Sequence, residues 1–133
     1  MANVKRLNYL KINLKDEPGS LLKIMEELKE KNISLKALWG YGKANGEAEV
    51  FAIPKDATKL KNIWASMLVE EGEVFFIKGT DKTGALLKPL KALADENINI
   101  RAIHALVVGD KYGSVIWVNS SDVDKTAKIL GAK

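Results

Sequence analysis

The chain has no cysteine and a single histidine among its 133 residues. The first absence removes disulfide frameworks, thiolate nucleophiles and zinc–thiolate sites. The second removes multi-histidine metal sites and the hydrolytic chemistry they support. No apolar run reaches the length that spans a bilayer. The opening Met1-Ala2-Asn3-Val4-Lys5-Arg6 lacks the apolar core of a signal peptide. These features predict a cytoplasmic protein with no membrane partner. No nucleophile–base pair, paired-carboxylate spacing or phosphate-binding glycine loop is visible, so neither catalysis nor a cofactor or metal is expected. Charge of one sign is also scarce. The net charge is +4, and lysines alternate with acids, as in Lys23-Ile24-Met25-Glu26-Glu27-Leu28-Lys29-Glu30-Lys31. That pattern is a solvated helix face rather than the concentrated basic face of a nucleic-acid binder.

What the chain does have is a repeat. An offset of 65 aligns Asp16–Ala37 with Asp81–Ala102, with 9 of 22 positions identical, among them Asp16/Asp81, Gly19/Gly84, Leu28/Leu93, Asn32/Asn97 and Ile33/Ile98. Two copies of one unit follow, residues 1–70 and 71–133. Each is too small to bury much apolar surface alone, so the copies should pack together.

In the first copy Val4–Leu14 alternates as a strand. Glu17-Pro18-Gly19-Ser20 suits a type II turn, with Pro presetting the first central residue and Gly accepting positive φ at the second. Leu21, Leu22, Met25 and Leu28 recur at helical spacing, and Asn32 is a stop signal. Ile33 to Tyr41 alternates strictly. Asn45-Gly46 predicts a two-residue hairpin turn, followed by a strand over Glu47–Ile53. Asp56 caps a second helix reaching Met67, which Gly72 can end. The second copy predicts a strand over 73–80, a helix over 85–96, a hairpin of 98–108 with 114–119, and a helix over 123–130. Pro89 lies inside the third helix and predicts a kink or a late start there. The order strand-helix-strand-strand-helix predicts an α+β fold: two tandem ferredoxin-like units, antiparallel sheets with helices on one face. The closing fourth strand is not evident in either copy. The segment around 67–73, the start of the second copy or a partner chain could each supply it.

In the second copy Ile98, Ile100, Ala102, Leu106 and Val108 fall on one strand face, and Ile103, Ala105 and Val107 on the other. Two apolar faces predict a homodimer or higher homo-oligomer. Trp39 and His104 occupy equivalent positions and are expected on the helix-facing side.

The strand-to-helix turns, Asp16 to Gly19 and Asp81 to Gly84, are the candidate sites. A helix N-terminus offers amide hydrogens and partial positive charge to a carboxylate, glycine permits close approach, and an Asp nearby favours an ammonium group. Together these suit an α-amino acid. Asp and Gly are also ordinary turn residues, and Asp16 could simply cap the helix.

Asp16-Glu17-Pro18-Gly19-Ser20-Leu21-Leu22, a helix and then Asn32-Ile33-Ser34-Leu35 resemble an ACT domain, the small-molecule-binding regulatory module of amino-acid metabolism. Asp81-Lys82-Thr83-Gly84-Ala85-Leu86-Leu87 with Asn97-Ile98-Asn99-Ile100 resembles a second one, with Thr83 in place of the proline. The resemblance implies amino-acid binding, usually where two such units meet. It implies contacts from Asp16, Gly19, Ser20, Leu21, Ser34 and Leu35, and from Asp81, Gly84, Ala85, Leu86, Asn99 and Ile100. Leu14 and Gly79 stand where some members carry a histidine, so that contact is missing. The reading is a regulatory or sensor protein acting through an oligomer or a partner enzyme or regulator. The alternative is a nucleic-acid-binding module on the same fold, with Tyr9 as its stacking residue.

Overall fold

The computed structural model describes residues 3–133; Met1 and Ala2 of the opening segment lie outside them. Strands β1 (Asn3–Lys15), β2 (Leu35–Gly42), β3 (Glu47–Pro54), β4 (Leu68–Thr80), β5 (Ile100–Val108) and β6 (Lys111–Val118) alternate with helices α1 (Ser20–Glu30), α2 (Ala57–Ile63), α3 (Leu87–Asp95) and α4 (Val123–Leu130). The chain forms two compact units. One is continuous, Asn8–Gly72, and is called the central unit below. The other, the split unit, combines the chain start up to Leu7 with Glu73–Lys133.

This division supplies the fourth strands. The boundary crosses both β1 and β4. The central unit takes the second half of β1 and Leu68–Gly72 of β4, in the order β2-β3-β1-β4. The split unit takes residues 3–7 and Glu73–Thr80, in the order β1-β4-β6-β5. The expected helix running to Met67 ends instead at Ile63. Gly72 is no helix stop: it lies within β4, where a Cβ would meet the Tyr9 ring at 3.0 Å.

Each unit is an antiparallel sheet with its two helices over one face. In the central unit Leu10, Ile12, Val50 and Ala52 pack against Ile24, Leu28, Leu60 and Trp64. In the split unit Val4, Phe75, Ile77, Ile116 and Val118 pack against Leu93, Val123 and Leu130. A side chain of this kind contributes roughly 1.5–3 kcal/mol on full burial. Residues 3–7 are tied down by polar groups as well. Arg6 donates to Glu73 at 2.6 Å and to Asp124 at 2.7 Å, and its backbone N–H donates to the Lys133 carbonyl at 3.1 Å.

Local signals act as expected at several points. Asp56 accepts the Lys59 N–H at 3.1 Å and caps α2. Asn32 and Asn97 take φ of 58° and 59°. Each is followed by an amide that reaches back to the third-last helical carbonyl, Ile33 to Leu28 at 2.8 Å and Ile98 to Leu93 at 3.0 Å. Both helices therefore end in a Schellman motif. Pro89 delays its helix: α3 starts at Leu87, not at residue 85, which places the proline in the first turn where an N–H has no partner anyway.

Two expectations fail in the hairpins. Asn45-Gly46 is not a two-residue turn. The loop spans residues 43–46, only Gly46 has positive φ, and the Asn45 side chain accepts the Glu47 N–H at 3.1 Å. The strict alternation of β2 and β5 is also broken, by register shifts between Leu35 and Ala37 and between Ile100 and Ala102. A bulge inserts one residue and transfers the following side chains to the other face. Trp39 therefore pairs with Phe51 and His104 with Val115, on the face away from the helices rather than toward them. Ile103, opposite the core residue Ile116, shares the helix side with Ile100.

Candidate functional site

The first corner forms as the residues dictate. Gly19 has φ 88° and ψ −13°, and the Ser20 N–H reaches the Glu17 carbonyl at 3.3 Å, the geometry of a type II turn with Gly third. Gly19 is also the N-cap of α1, and no side chain caps that helix. Asp16 is therefore not the helix cap. The amides of Leu21 and Leu22 have no backbone acceptor among the described residues.

A cleft of about 390 Å³ opens at this corner, with Asp16, Ser20, Leu21, Gly42 and Glu49 among its lining residues. The Asp16 carboxylate folds against the backbone of Gly42, where a Cβ would collide with it. It makes no hydrogen bond or ion pair with any described residue. Glu49 differs. It is buried, held by Lys11 at 3.0 Å and Lys43 at 2.9 Å. Hydrogen bonds from Lys43, then Lys11, keep its carboxyl down at about 2. Burial, reinforced by Glu49, raises the neighbouring Tyr41 phenol. Gly19 does not line the cleft, and open space lies where its Cβ would project.

The second corner repeats the turn. Gly84 has φ 77°, and the Ala85 N–H reaches the Lys82 carbonyl at 3.0 Å. A cleft of about 740 Å³ is lined by Gly84 and Ala85 together with Lys82, Thr80 and Tyr112. Asp81 does not line it, and Leu86 packs into the hydrophobic core instead.

Four residues are not brought to these corners. Ser34 and Leu35 sit at the start of β2, where Leu35 pairs with Pro54, while the corner lies at its far end, where Gly42 pairs with Ala48. The 8 residues of β2 at about 3.3 Å each put more than ~20 Å between them. Asn99 and Ile100 stand at the corresponding far end of β5. Residues that sequence reasoning did not single out for the clefts are Gly42 and Glu49 in the central unit and Lys78, Lys82, Lys88 and Lys111 in the split unit. Only strand pairing brings the β2–β3 hairpin to the first turn, so no local signal marked Gly42 and Glu49.

The stacking platform of the alternative reading is occupied. Tyr9 and Phe51 are each 4% exposed, and Phe51 stacks on Trp39 at 5.5 Å with 7° between the planes. Bases need an exposed aromatic face. Among the described residues no cluster of three His, Asp or Glu could hold a metal, and no helix is long and apolar enough to cross a membrane.

Residues 74–132 match the ACT domain family. No curated protein sequence matches the chain. Among solved structures, protein BT0572 from Bacteroides thetaiotaomicron is 26% identical, with a TM-score of 0.82 over 98% of this chain and 88% of that one. The regulatory subunit of aspartate kinase from Thermus thermophilus, in its ligand-free form, gives 0.60 at 18% identity over 98% of this chain and 95% of that one. The corresponding subunit from Thermus flavus gives 0.61 at 16% identity over 98% and 94%. The second half of the chain is thus similar to the ACT domain, and nearly the whole chain shares the fold of aspartate kinase regulatory subunits.

Proposed function

We propose that this protein is a regulatory module that binds an amino acid, built from two ACT units in tandem and acting without catalysis through an oligomer or a partner. The observation that carries the reading is the corner of the central unit. There an exposed carboxylate with no partner, Asp16, faces the same cleft as the Ser20 hydroxyl and the start of α1. An ammonium group is matched by Asp16, and a carboxylate by the Leu21 and Leu22 amides and the positive end of the helix. The likeness to regulatory subunits and to the ACT domain supports the same reading. Ser34, Leu35, Asn99 and Ile100 stand too far from their own corners to share this ligand within one unit. Regulation follows from linkage: a ligand shifts the protein toward whichever arrangement completes its site.

Thermal unfolding in a panel of amino acids tests this. One or a few should raise Tm by mass action, with about 2.7 kcal/mol of stabilisation at a hundredfold excess over Kd. Asp16→Ala should lose that response and keep the fold, since the side chain is exposed. No shift with any amino acid, or an undiminished shift in Asp16→Ala, would overturn the proposal.

A further inference from the structure

We infer that the amino acid held in the central cleft carries an apolar side chain, selected by Leu21 and Leu38. This rests on the amino-acid reading above and adds the class of side chain to it. The lining residues divide between the two faces of the sheet. Leu10, Ile12 and Leu14 of β1 and Val50 and Ala52 of β3 belong to the core beneath the helices. Leu38 pairs with Ala52, Gly40 with Val50 and Gly42 with Ala48, so these positions of β2 face the helices too. Lys15, Trp39, Tyr41 and Glu49 alternate with them and point the other way. Trp39 and Tyr41 lie against Phe51 there, and Glu49 is held by Lys11 and Lys43.

On the helix side the cleft therefore has a polar end and an apolar end. The Asp16 carboxylate sits over Gly42 at the outer end, beside the start of α1. Gly40 lies about 7 Å further along β2, and Leu38 about 7 Å beyond it. Gly40 contributes bare backbone, since a Cβ there would meet the Glu49 carbonyl oxygen at 2.8 Å. Around this bare stretch the cleft is lined by Leu14, Leu21, Leu38 and Val50. Leu21 is 44% exposed and Leu38 39%. Two large apolar side chains left partly in water on one concave surface are what a ligand's apolar group would cover, and both surfaces gain by leaving water.

A ligand with its ammonium on Asp16 and its carboxylate on the Leu21 and Leu22 amides extends its side chain over Gly40. A lysine side chain would carry its ammonium past Asp16 and Glu17 to a stretch with no carboxylate on that face. The second carboxylate of an aspartate would find no cation there. An unpaired charge pressed against apolar surface is costly. The duplication supplies an internal comparison. Strand pairing puts Gly79, Tyr112 and Ser114 where Leu14, Ala48 and Val50 stand, and the repeat puts Ala105 where Gly40 stands. The two corners thus share their turn and not this wall.

The test is an amide chemical-shift titration of the ¹⁵N-labelled full chain with leucine, phenylalanine, glycine, lysine and aspartate, at a constant ionic strength of about 150 mM. Leucine or phenylalanine should give saturable shifts at Ser20, Leu21 and Leu38, with an affinity at least about tenfold above that of glycine. Lysine and aspartate should bind no tighter than glycine. A preference for leucine assigns an aliphatic side chain and one for phenylalanine an aromatic ring; either supports the inference. Leu38→Thr keeps a strand-forming residue at this partly exposed position. It should cut the ratio of apolar to glycine affinity at least about threefold, and Leu38→Ala stands in if the threonine impairs folding. The inference is overturned if glycine, lysine or aspartate binds as tightly as the better apolar amino acid, or if a folded Leu38 variant keeps the wild-type ratio. In those cases an amino acid still binds and the reading based on Asp16 stands. No shift with any of the five overturns both.

Discussion

Gly79 and Gly113 lie on neighbouring strands of the split unit, one residue out of register, and the same substitution should have opposite consequences at the two. A Cβ on Gly79 would stand 2.7 Å from Tyr112 Cε1 and 3.1 Å from its Cζ and Oη. The Tyr112 ring is 7% exposed and belongs to the hydrophobic core, so any movement away from the new methyl disturbs core packing. Overpacking of this kind costs about 1–3 kcal/mol. A Cβ on Gly113 meets nothing within 4 Å. There the substitution restricts only the unfolded chain and should stabilise by about 0.4–1 kcal/mol. Gly79→Ala carries the same gain, so the clash alone separates the two variants by about 1–3 kcal/mol. Urea unfolding followed by circular dichroism reads this as a lower midpoint for Gly79→Ala at unchanged slope, against an equal or higher midpoint for Gly113→Ala. Equal midpoints would refute the placement of the Tyr112 ring across Gly79.

Glu49 should govern part of the acid response. Its folded-state carboxyl is held at about 2 against an ordinary 4.5, so its contribution is complete above 4.5 and is lost as pH falls toward 2. Tm plotted against pH in that window should be shallower for Glu49→Gln than for the wild type, and parallel curves would contradict the Lys43–Glu49–Lys11 arrangement. Asn32 holds φ 58°. Asn32→Val should therefore lose about 1–2 kcal/mol, while Asn32→Gly should stay close to the wild type in the same urea assay; similar losses in both would point to the side chain rather than the backbone.

The sequence by itself determined the parts whose causes lie within a few residues. The Pro18-Gly19 turn, the Asp56 cap, the Asn32 and Asn97 helix ends and the late start forced by Pro89 all depend on near neighbours, and all were legible. So was the repeat, because identical local chemistry leaves identical spacing. Only the tertiary structure decided what depends on pairing across the chain. The fourth strand of each unit comes from dividing β1 and β4, which no segment announces, since a strand pattern names no partner. One extra residue in β2 and in β5 reversed the faces of Trp39 and His104, because side chains alternate with a period of two and any slip inverts them all.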